Sequence, residues 1–191
     1  MAPTYLGRVE TVAMTPELVR LLDRQAIYDC SVRYSRGLDR MDAALFRSAF
    51  WEDAVLCNGP VNGPIDDFLA WWWPSQCERE AVQHSISNQY VEFEGSDVAH
   101  VETYFIASVK KYGSASVDLL TARYVDRFEK RADRWRIASR LLLSDWVAEV
   151  TSSAGSLGGA RHRGYRGPAD PSYTRPAPND NRRPTIEGIL V

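Results

Sequence analysis

Long strand-like segments joined by short turns are the feature that most limits how this chain can fold. They are rich in β-branched and aromatic residues and cover about residues 85–94, 98–110, 115–129 and 134–148. Turn-forming residues separate them, at Gly95-Ser96-Asp97, Lys111-Tyr112-Gly113 and Arg131-Ala132-Asp133. Strands joined by links this short pair with their chain neighbours, so the pattern predicts an antiparallel meander.

Helical periodicity precedes these strands. Thr15 has the side chain of an N-cap, and Pro16 suits the first helical turn, where its missing N–H is not needed. From there to Gly37, which marks the predicted helix end, apolar residues recur at helical spacing. The predicted apolar stripe consists of Leu18, Leu21, Leu22, Ile27, Cys30 and Tyr34.

Two shorter helices are predicted before the long strands begin. The first is capped by Asp42, and we expect it to direct Leu45, Phe46 and Phe50 inward before a strand-like run at 54–57. Residues 58–64 contain two Gly-Pro pairs and predict a turn-rich link. The third helix follows over about 65–73 and ends in three consecutive tryptophans.

Helices first and long strands afterwards indicate an α+β domain. Strands of this length bend, so we expect a cone-shaped, curved antiparallel sheet packed on the N-terminal helices, with an apolar pocket inside for a small molecule. Residues 15–150 would form this domain, after an N-terminal extension at 1–14. The composition changes at residue 151, which makes 151–191 a Gly-, Pro- and Arg-rich C-terminal arm.

The C-terminal arm has two interpretations. Its composition alone, poor in aliphatic residues, is typical of a flexible tail. Aromatic residues and an apolar end instead favour an ordered arm on a neighbouring subunit or over the pocket mouth, anchored by Tyr165, Tyr173, Ile186, Ile189, Leu190 and Val191. We therefore expect a homo-oligomer, either a dimer or a trimer.

Charge and cysteine usage narrow the function. The formal net charge of −2 provides no basic field for nucleic acid or an anionic membrane surface, so we expect a hydrophobic small-molecule substrate. Cys30, Cys57 and Cys77 form no CxxC pair and are predicted to be reduced core residues of a cytoplasmic protein. Neither an apolar run of about 18 residues nor an export signal is found, so membrane insertion and secretion are not predicted.

One histidine and one aspartate form the main catalytic hypothesis. His84 lies between the third helix and the first long strand, and imidazole groups exchange protons readily near neutral pH. Asp39 follows the predicted end of the first helix, where a carboxylate opposes the helix dipole. Each alone has an ordinary structural explanation. Together, a carboxylate bonded to one ring nitrogen would fix the tautomer and leave the other nitrogen to act as a base.

Further candidates surround this pair. Tyr34 is either a core tyrosine or a donor to a developing oxyanion. Arg140 shares strand parity with Arg136 and Ser144, opposite to that of Trp135 and Ile137, and points either into the pocket or to solvent. One of the tryptophans is expected to stack on a flat substrate at the pocket mouth. The predicted substrate-binding residues are Arg140, Tyr104, Asn88, Trp72 and Ser144, with Asp126 as another mid-strand candidate.

The sequence lacks the common motifs for cofactor chemistry. The sequence contains no HExxH, GxSxG, phosphate-binding glycine loop or dinucleotide fingerprint. His100 and His162 lack companions at metal-ligand spacing. The sequence therefore predicts neither a metal nor an organic cofactor.

Three stretches resemble a known family. Residues 26–56, the HSISNQYVEFEG segment at 84–95 and the hairpin at 123–146 are similar to the SnoaL-like branch of the nuclear transport factor 2-like superfamily. That branch includes scytalone dehydratase, bile-acid 7α-dehydratase and hexachlorocyclohexane dehydrochlorinase. The resemblance covers roughly residues 15–150 and leaves the C-terminal arm unexplained.

The resemblance implies an α+β cone and a cofactor-free elimination in which a His–Asp dyad removes a proton. By motif position the dyad corresponds to His84 and Asp39, and the tyrosine of the bile-acid enzyme corresponds to Tyr34. That enzyme's strand arginine falls on Ser144 here, which leaves Arg140 on the same face as the candidate oxyanion contact.

The resulting hypothesis is a dehydratase-type lyase that acts on a hydrophobic cyclic or aromatic compound. Three alternatives stay open. They are an isomerase or cyclase with the same dyad, a carbon–carbon lyase that releases formaldehyde from a lignin-derived aromatic, and a non-catalytic small-molecule-binding protein.

Overall fold

The computed structural model of the protein describes residues 14–151 and 164–175. Its elements in chain order are α1 (Pro16–Asp39), α2 (Ala43–Arg47), β1 (Phe50–Asn58), β2 (Val61–Pro64), α3 (Ile65–Ser75), β3 (Arg79–Glu94), β4 (Val98–Lys111), β5 (Ser116–Arg131) and β6 (Arg134–Thr151). Short 3₁₀ turns cover Gln76–Glu78 and Pro171–Tyr173. The predicted α+β class is confirmed.

The strands form one open six-stranded sheet in the order β2-β1-β6-β5-β4-β3. Strands β3 to β6 form the predicted antiparallel meander. The sheet as a whole is mixed, because β1, outside the meander, pairs in parallel with β6. The link predicted at 58–64 was wrong in part, since β2 pairs with β1 in a hairpin. The glycines and prolines of β2 indicated a turn, because a central strand excludes these residues, but a short edge strand tolerates them.

Local capping rules explain where the first two helices begin. The Thr15 hydroxyl accepts a hydrogen bond from the Leu18 N–H at 3.3 Å, and the Asp42 carboxylate accepts one from the Leu45 N–H at 2.9 Å. Both caps were predicted. No helix within residues 14–151 and 164–175 is both long and apolar enough to span a bilayer.

Gly37 does not end α1, which continues to Asp39. A Cβ atom at Gly37 would lie only 2.6 Å from the backbone nitrogen of Phe46, so glycine is needed there for the close approach of α2. The chain turns instead at Met41, which has a φ of 52°. This tight corner fixes Asp39 at the last turn of α1, beside the sheet.

The core lies between α1, α3 and one face of the sheet. Its larger members are Ile27, Tyr34, Leu38, Phe46, Phe50, Leu56, Phe68, Trp72, Phe105, Tyr124, Phe128, Trp135 and Ile137. Several of the aromatic rings contact one another in tilted, edge-to-face or stacked arrangements, with ring centres 4.2–6.0 Å apart. Such pairs each add about 0.5–1.5 kcal/mol beyond the burial of their area.

The N-terminal half of α1 departs from the predicted apolar stripe. Leu18, Leu21 and Leu22 are 40%, 62% and 48% exposed. Two arginines of this half turn toward the sheet instead, with the guanidinium carbons of Arg20 and Arg24 lying 4.3 and 5.3 Å from the centre of the Phe93 ring. Because the arginines cover the sheet, the leucines face away from it.

A β-bulge in β6 decides which side chains face the core. Ile137 pairs with Phe128 and Ser139 pairs with Arg127, so Ala138 is an extra residue in the ladder. After the bulge Arg140 lies on the buried face, as Ile137 does before it. The predicted parity, which placed Arg140 opposite to Ile137, was therefore wrong, because one extra residue reverses the alternation.

The cysteines occupy three different environments. Cys30 is buried, and its thiol donates to the Ala49 carbonyl with a sulfur–oxygen distance of 3.1 Å. Burial raises the pKa of this thiol to about 11. Cys57 is half-buried, and Cys77 is exposed, which corrects the expectation that all are core residues.

Candidate functional site

A histidine and an aspartate meet where α1 ends against β3. The Nδ1 atom of His84 lies 2.7 Å from Oδ1 of Asp39. The backbone N–H of His84 also donates to the same carboxylate, at 3.1 Å to Oδ1 and 3.0 Å to Oδ2. The aspartate therefore holds both the ring and the main chain of the histidine.

The two elements position this pair by their local structure. Asp39 is the last residue of α1, and His84 lies inside β3, which starts at Arg79 and thus earlier than the sequence predicted. Alternation along β3 points His84 to the core side, where its ring lies 5.7 Å from that of Phe105. The His84 and Asp39 side chains keep 10% and 13% exposure. The pair is thus sheltered but reachable from solvent.

The hydrogen bonds determine what the imidazole can do. With Nδ1–H donating to the carboxylate, the neutral ring carries its lone pair on Nε2. Nε2 forms no hydrogen bond with the residues that the structure describes. An oriented imidazole with one free nitrogen is the arrangement that general-base catalysis requires.

The carboxylate of Asp39 stands at an electrostatically unfavourable place, the C-terminal end of a helix. A guanidinium from the segment that follows β6 in the chain offsets the negative charge at this helix end. Arg166 donates to the carbonyl oxygens of Leu38 and Asp39 at 3.1 and 3.3 Å. Sequence reasoning missed Arg166. Its segment lies outside every motif, and the only signal was the aromatic content of the same stretch.

Tyr34 lies deep in the core at 1% exposure. Its ring packs against those of Phe46, Phe50 and Tyr124 at centre distances of 5.3, 5.7 and 5.3 Å. Burial raises the pKa of its phenol, which therefore stays protonated near neutral pH and can donate a hydrogen bond. Among the described residues this hydroxyl has no hydrogen-bond partner of good geometry, although Tyr124 and Arg140 lie near it.

Arg140 reaches the interior and forms an ion pair there. Its Nε and Nη2 atoms donate to Oδ1 and Oδ2 of Asp126 at 2.8 and 2.7 Å, and both side chains have 0% exposure. The guanidinium carbon lies 4.0 Å from the centre of the Tyr34 ring and 3.9 Å from that of Tyr124. Of the three guanidinium nitrogens, Nη1 is buried without a partner among the described residues.

The buried pair is ionised. Burial alone would lower the pKa of Arg140, but the Asp126 carboxylate outweighs this effect and raises it. Burial also raises the pKa of Asp126, and the attraction of Arg140 opposes that rise. We take both groups as charged, because a bidentate contact to both carboxylate oxygens fits a guanidinium and a carboxylate.

Two aromatic rings link the dyad to the buried cluster of Tyr34, Asp126 and Arg140. The Phe105 ring, beside His84, stacks on the Tyr124 ring at a centre distance of 4.2 Å. Tyr124 in turn contacts Tyr34 and Arg140. The structure therefore joins His84 to Asp39 directly, and the Phe105–Tyr124 stack links His84 to Tyr34 and Arg140.

The remaining predicted site residues are dispersed. Tyr104 alternates with buried Thr103 and Phe105, so it lies on the outer face of the sheet at 40% exposure, and Asn88 is exposed at the bulge of β3 opposite it. The expectation that these two line the pocket was wrong, because the alternation of β4 turns Tyr104 outward. Ser144 pairs with Ala122, on the inner face but exposed. Trp72 is buried in α3, stacked on Phe68 at 6.0 Å.

Two cavities of the structure lie away from the dyad. A cavity of about 450 Å³ lies between β1 and the start of α3, beside Trp51 and Arg136, and one of about 420 Å³ lies along the first turns of α1. Neither is lined by His84 or Asp39, and aromatic side chains occupy much of the interior above the sheet. Within residues 14–151 and 164–175 no three His, Cys, Asp or Glu side chains cluster as metal ligands.

Comparison with known proteins agrees with this architecture. A family profile described as a SnoaL-like domain matches residues 19–141, which lie within the domain predicted at 15–150. No curated protein matches the sequence at a significant level.

Solved structures with the same fold include enzymes. A hexachlorocyclohexane dehydrochlorinase (LinA) type 2 aligns with a TM-score of 0.62 and 20% identity, over 71% of this chain and 93% of that chain. A protein from Novosphingobium aromaticivorans assigned as a scytalone dehydratase aligns with a TM-score of 0.64 and 18% identity, over 79% of this chain and 96% of that chain. The type 3 hexachlorocyclohexane dehydrochlorinase from Novosphingobium barchaimii aligns with a TM-score of 0.62 and 21% identity, over 73% of this chain and 95% of that chain. At these identities the likeness establishes the fold, an α+β cone.

Proposed function

Because the chain belongs to the SnoaL-like domain family of the nuclear transport factor 2-like superfamily, we propose that it is a lyase for a small molecule. The proposed reaction is a dehydratase-type elimination on a hydrophobic cyclic or aromatic compound, without a cofactor. The observation that carries this proposal is the contact of 2.7 Å between His84 Nδ1 and Asp39 Oδ1, which leaves Nε2 free. The relatives named as a dehydrochlorinase and a scytalone dehydratase support the same reaction class.

In the proposed reaction His84 is the base. Its Nε2 takes a proton from a carbon next to the one that carries the leaving hydroxyl, and the freed electron pair forms the carbon–carbon double bond. The carbon–oxygen bond breaks at the same time. Asp39 stabilises the imidazolium that forms and keeps the ring oriented, and the proton on His84 then combines with the leaving hydroxide to give water.

Two buried donors support a role for the interior in holding the leaving oxygen. The Tyr34 hydroxyl and Arg140 Nη1 are both buried without partners among the described residues. A buried donor left unpaired costs about 1–3 kcal/mol, so an oxygen atom of a bound molecule would gain from reaching either one. We therefore propose Tyr34 as the main donor to that oxygen and Arg140 as a second one.

Mass spectrometry of products is the direct test. The protein is incubated with hydroxylated cyclic and aromatic compounds, and the expected product has lost water. Loss of formaldehyde would instead identify a carbon–carbon lyase. An unchanged mass with a new retention time would identify an isomerase.

Two histidine variants make this test specific to the dyad. His84→Ala should abolish product formation, whereas His100→Ala should not, because His100 is exposed and pairs with the exposed Glu94. Equal product from wild type and His84→Ala would refute the mechanism, and binding without any product would favour a binding protein.

We further propose that the protein forms a homo-oligomer through the outer face of its sheet. Four apolar or aromatic side chains on this face have exposed fractions between 37% and 50%, namely Tyr104, Ile106, Val125 and Leu141. Apolar side chains grouped in this way are typical of an interaction surface. Light scattering should give a dimer or trimer mass that Ile106→Glu lowers, and a monomeric wild type would contradict the proposal.

A further inference from the structure

Residues 164–175 fold back onto the end of α1, and we call this segment the strap. It lies outside the region that matches the family, which ends at residue 141. Within the described residues the strap contacts its own chain, at the corner where α1 turns into α2. The predicted anchors at 186–191 lie outside the described residues.

Arg166 is the residue of the strap closest to the dyad. Its guanidinium donates to four acceptors, the carbonyls of Leu38, Asp39 and Gln76 and the Gln76 side-chain oxygen, at 3.1, 3.3, 2.9 and 3.1 Å. Gln76 itself is 1% exposed and follows α3. One guanidinium thus ties the end of α1 to the end of α3.

The contacts explain how a carboxylate is tolerated at this helix end. The last carbonyls of a helix lack intrahelical partners and carry partial negative charge, which repels the Asp39 carboxylate. Arg166 supplies donors to two of those carbonyls and brings a positive charge. Lysine would bring the charge without the planar set of donors that reaches several acceptors at once.

The strap has its own anchors, so Arg166 is held in place rather than reaching in from solvent. Asp170 accepts hydrogen bonds from the backbone N–H groups of Tyr165 and Ser172 at 2.8 and 2.9 Å. The Tyr173 hydroxyl donates to Asp42 at 2.9 Å. These contacts order the segment on both sides of Arg166.

We propose that Arg166 is a positioning residue for the dyad. By fixing the main chain of Leu38 and Asp39, it sets the angle at which the Asp39 carboxylate meets His84 Nδ1. This inference rests on the proposed function for its catalytic meaning, but the positioning itself is a statement about geometry that can be measured without a substrate.

Proton NMR of the 191-residue chain provides that measurement. An Nδ1–H bonded to a carboxylate resonates downfield of the amide protons, and loss of the signal in His84→Gln assigns it. Arg166→Ala should broaden or shift this resonance, and added guanidinium ion should restore it, whereas an equal concentration of tetramethylammonium should not. Arg166→Lys should fail to restore it. Once a substrate is known, kcat of Arg166→Ala should fall by up to about 10²-fold with KM unchanged, as expected for a displaced catalytic group.

Two variants separate positioning from general loosening of the strap. Tyr173→Phe removes the bond to Asp42 and Arg175→Gln alters an exposed arginine of the same segment, and both should leave the resonance in place. An unchanged resonance in Arg166→Ala would overturn the proposal and make the strap a stability element only. Absence of the His84 signal from the wild type would overturn it too, together with the dyad. If no compound is turned over but the resonance depends on Arg166, the proposed function fails and the positioning role stands.

Discussion

Asp39 and Asp126 are two carboxylates on the same side of the sheet with opposite surroundings. Each has an oxygen atom 2.7 Å from a nitrogen of a basic side chain, His84 in one case and Arg140 in the other. The Asp39–His84 side chains keep 13% and 10% exposure, whereas those of Asp126 and Arg140 have none. The two pairs therefore differ in access and in the nature of the base, rather than in hydrogen-bond length.

This difference separates a proton-transfer site from a fixed charge pair. A guanidinium does not release its proton in proteins, so Arg140 can only hold charge and donate hydrogen bonds. An imidazole can take up and release a proton, and contact with Asp39 leaves one of its nitrogens free. The same substitution made at both aspartates should consequently impair different properties, turnover at Asp39 and stability at Asp126.

Asp39→Asn should mainly impair turnover. The asparagine oxygen can still accept from the His84 backbone N–H, so the free energy of unfolding should change by only about 1 kcal/mol. The neutral amide no longer stabilises an imidazolium, and turnover should fall by about 10²–10⁴-fold. Steady-state kinetics and urea unfolding measure the two quantities. Wild-type turnover in this variant would remove Asp39 from the mechanism.

Asp126→Asn should mainly impair stability. It leaves the Arg140 charge uncompensated between two tyrosine rings, which should lower the free energy of unfolding by about 3–5 kcal/mol in urea titrations. Asp118→Asn on the same strand is a suitable control, because the partly exposed Asp118–Lys111 pair should contribute about 0–1 kcal/mol. Equal losses from the two variants would show that the Arg140 pair is not sealed.

Tyr34→Phe tests whether the buried cluster also takes part in the reaction. The phenol forms no hydrogen bond of good geometry, so its removal should leave the free energy of unfolding unchanged or raise it by up to about 1 kcal/mol. Loss of a donor to the leaving oxygen should lower turnover by about 10²–10³-fold. Tyr104→Phe, on the outer face, is the control. Unchanged kinetics in Tyr34→Phe would limit Tyr34 to a packing role.

The reactivity of Cys30 can report whether the buried cluster opens, because the charges of Arg140 and Asp126 both influence the pKa of its thiol. Its pKa of about 11 makes the thiolate fraction near pH 8 about 10²-fold smaller than that of an ordinary thiol. In a variant with Cys57 and Cys77 replaced by serine, iodoacetamide should therefore label Cys30 very slowly. A variant that retains only the exposed Cys77 should react fast, and similar rates would show that the cluster opens readily.

Local rules made much of the fold predictable. The caps at Thr15 and Asp42 and the four long strands depend on residues close together in sequence, and the structure contains all of them. The catalytic hypothesis needed more than pattern. Neither His84 nor Asp39 was distinctive alone, so the hypothesis was their pairing, and the resemblance to a family then implied the same pair. Their contact is present in the structure, and their catalytic role stays a prediction.

Errors arose where a distant contact or a single extra residue decides the outcome. The bulge at Ala138 turned Arg140 into the core, because alternation counts residues and cannot anticipate an insertion in the ladder. Leu18, Leu21 and Leu22 were expected inside, but arginines on the same helix occupy the sheet face instead.

By itself, then, the sequence determined the class of fold, the start of each early helix and the order of the meander, because periodicity and capping act over a few residues. Only the tertiary structure decided that Asp39 reaches β3, that Arg140 is sealed by Asp126 and that Arg166 returns to the end of α1. Arg166 lies 127 residues after Asp39 and 128 residues after Leu38 in the chain. Contacts at such separations depend on how packed elements meet, which no local pattern of side chains encodes.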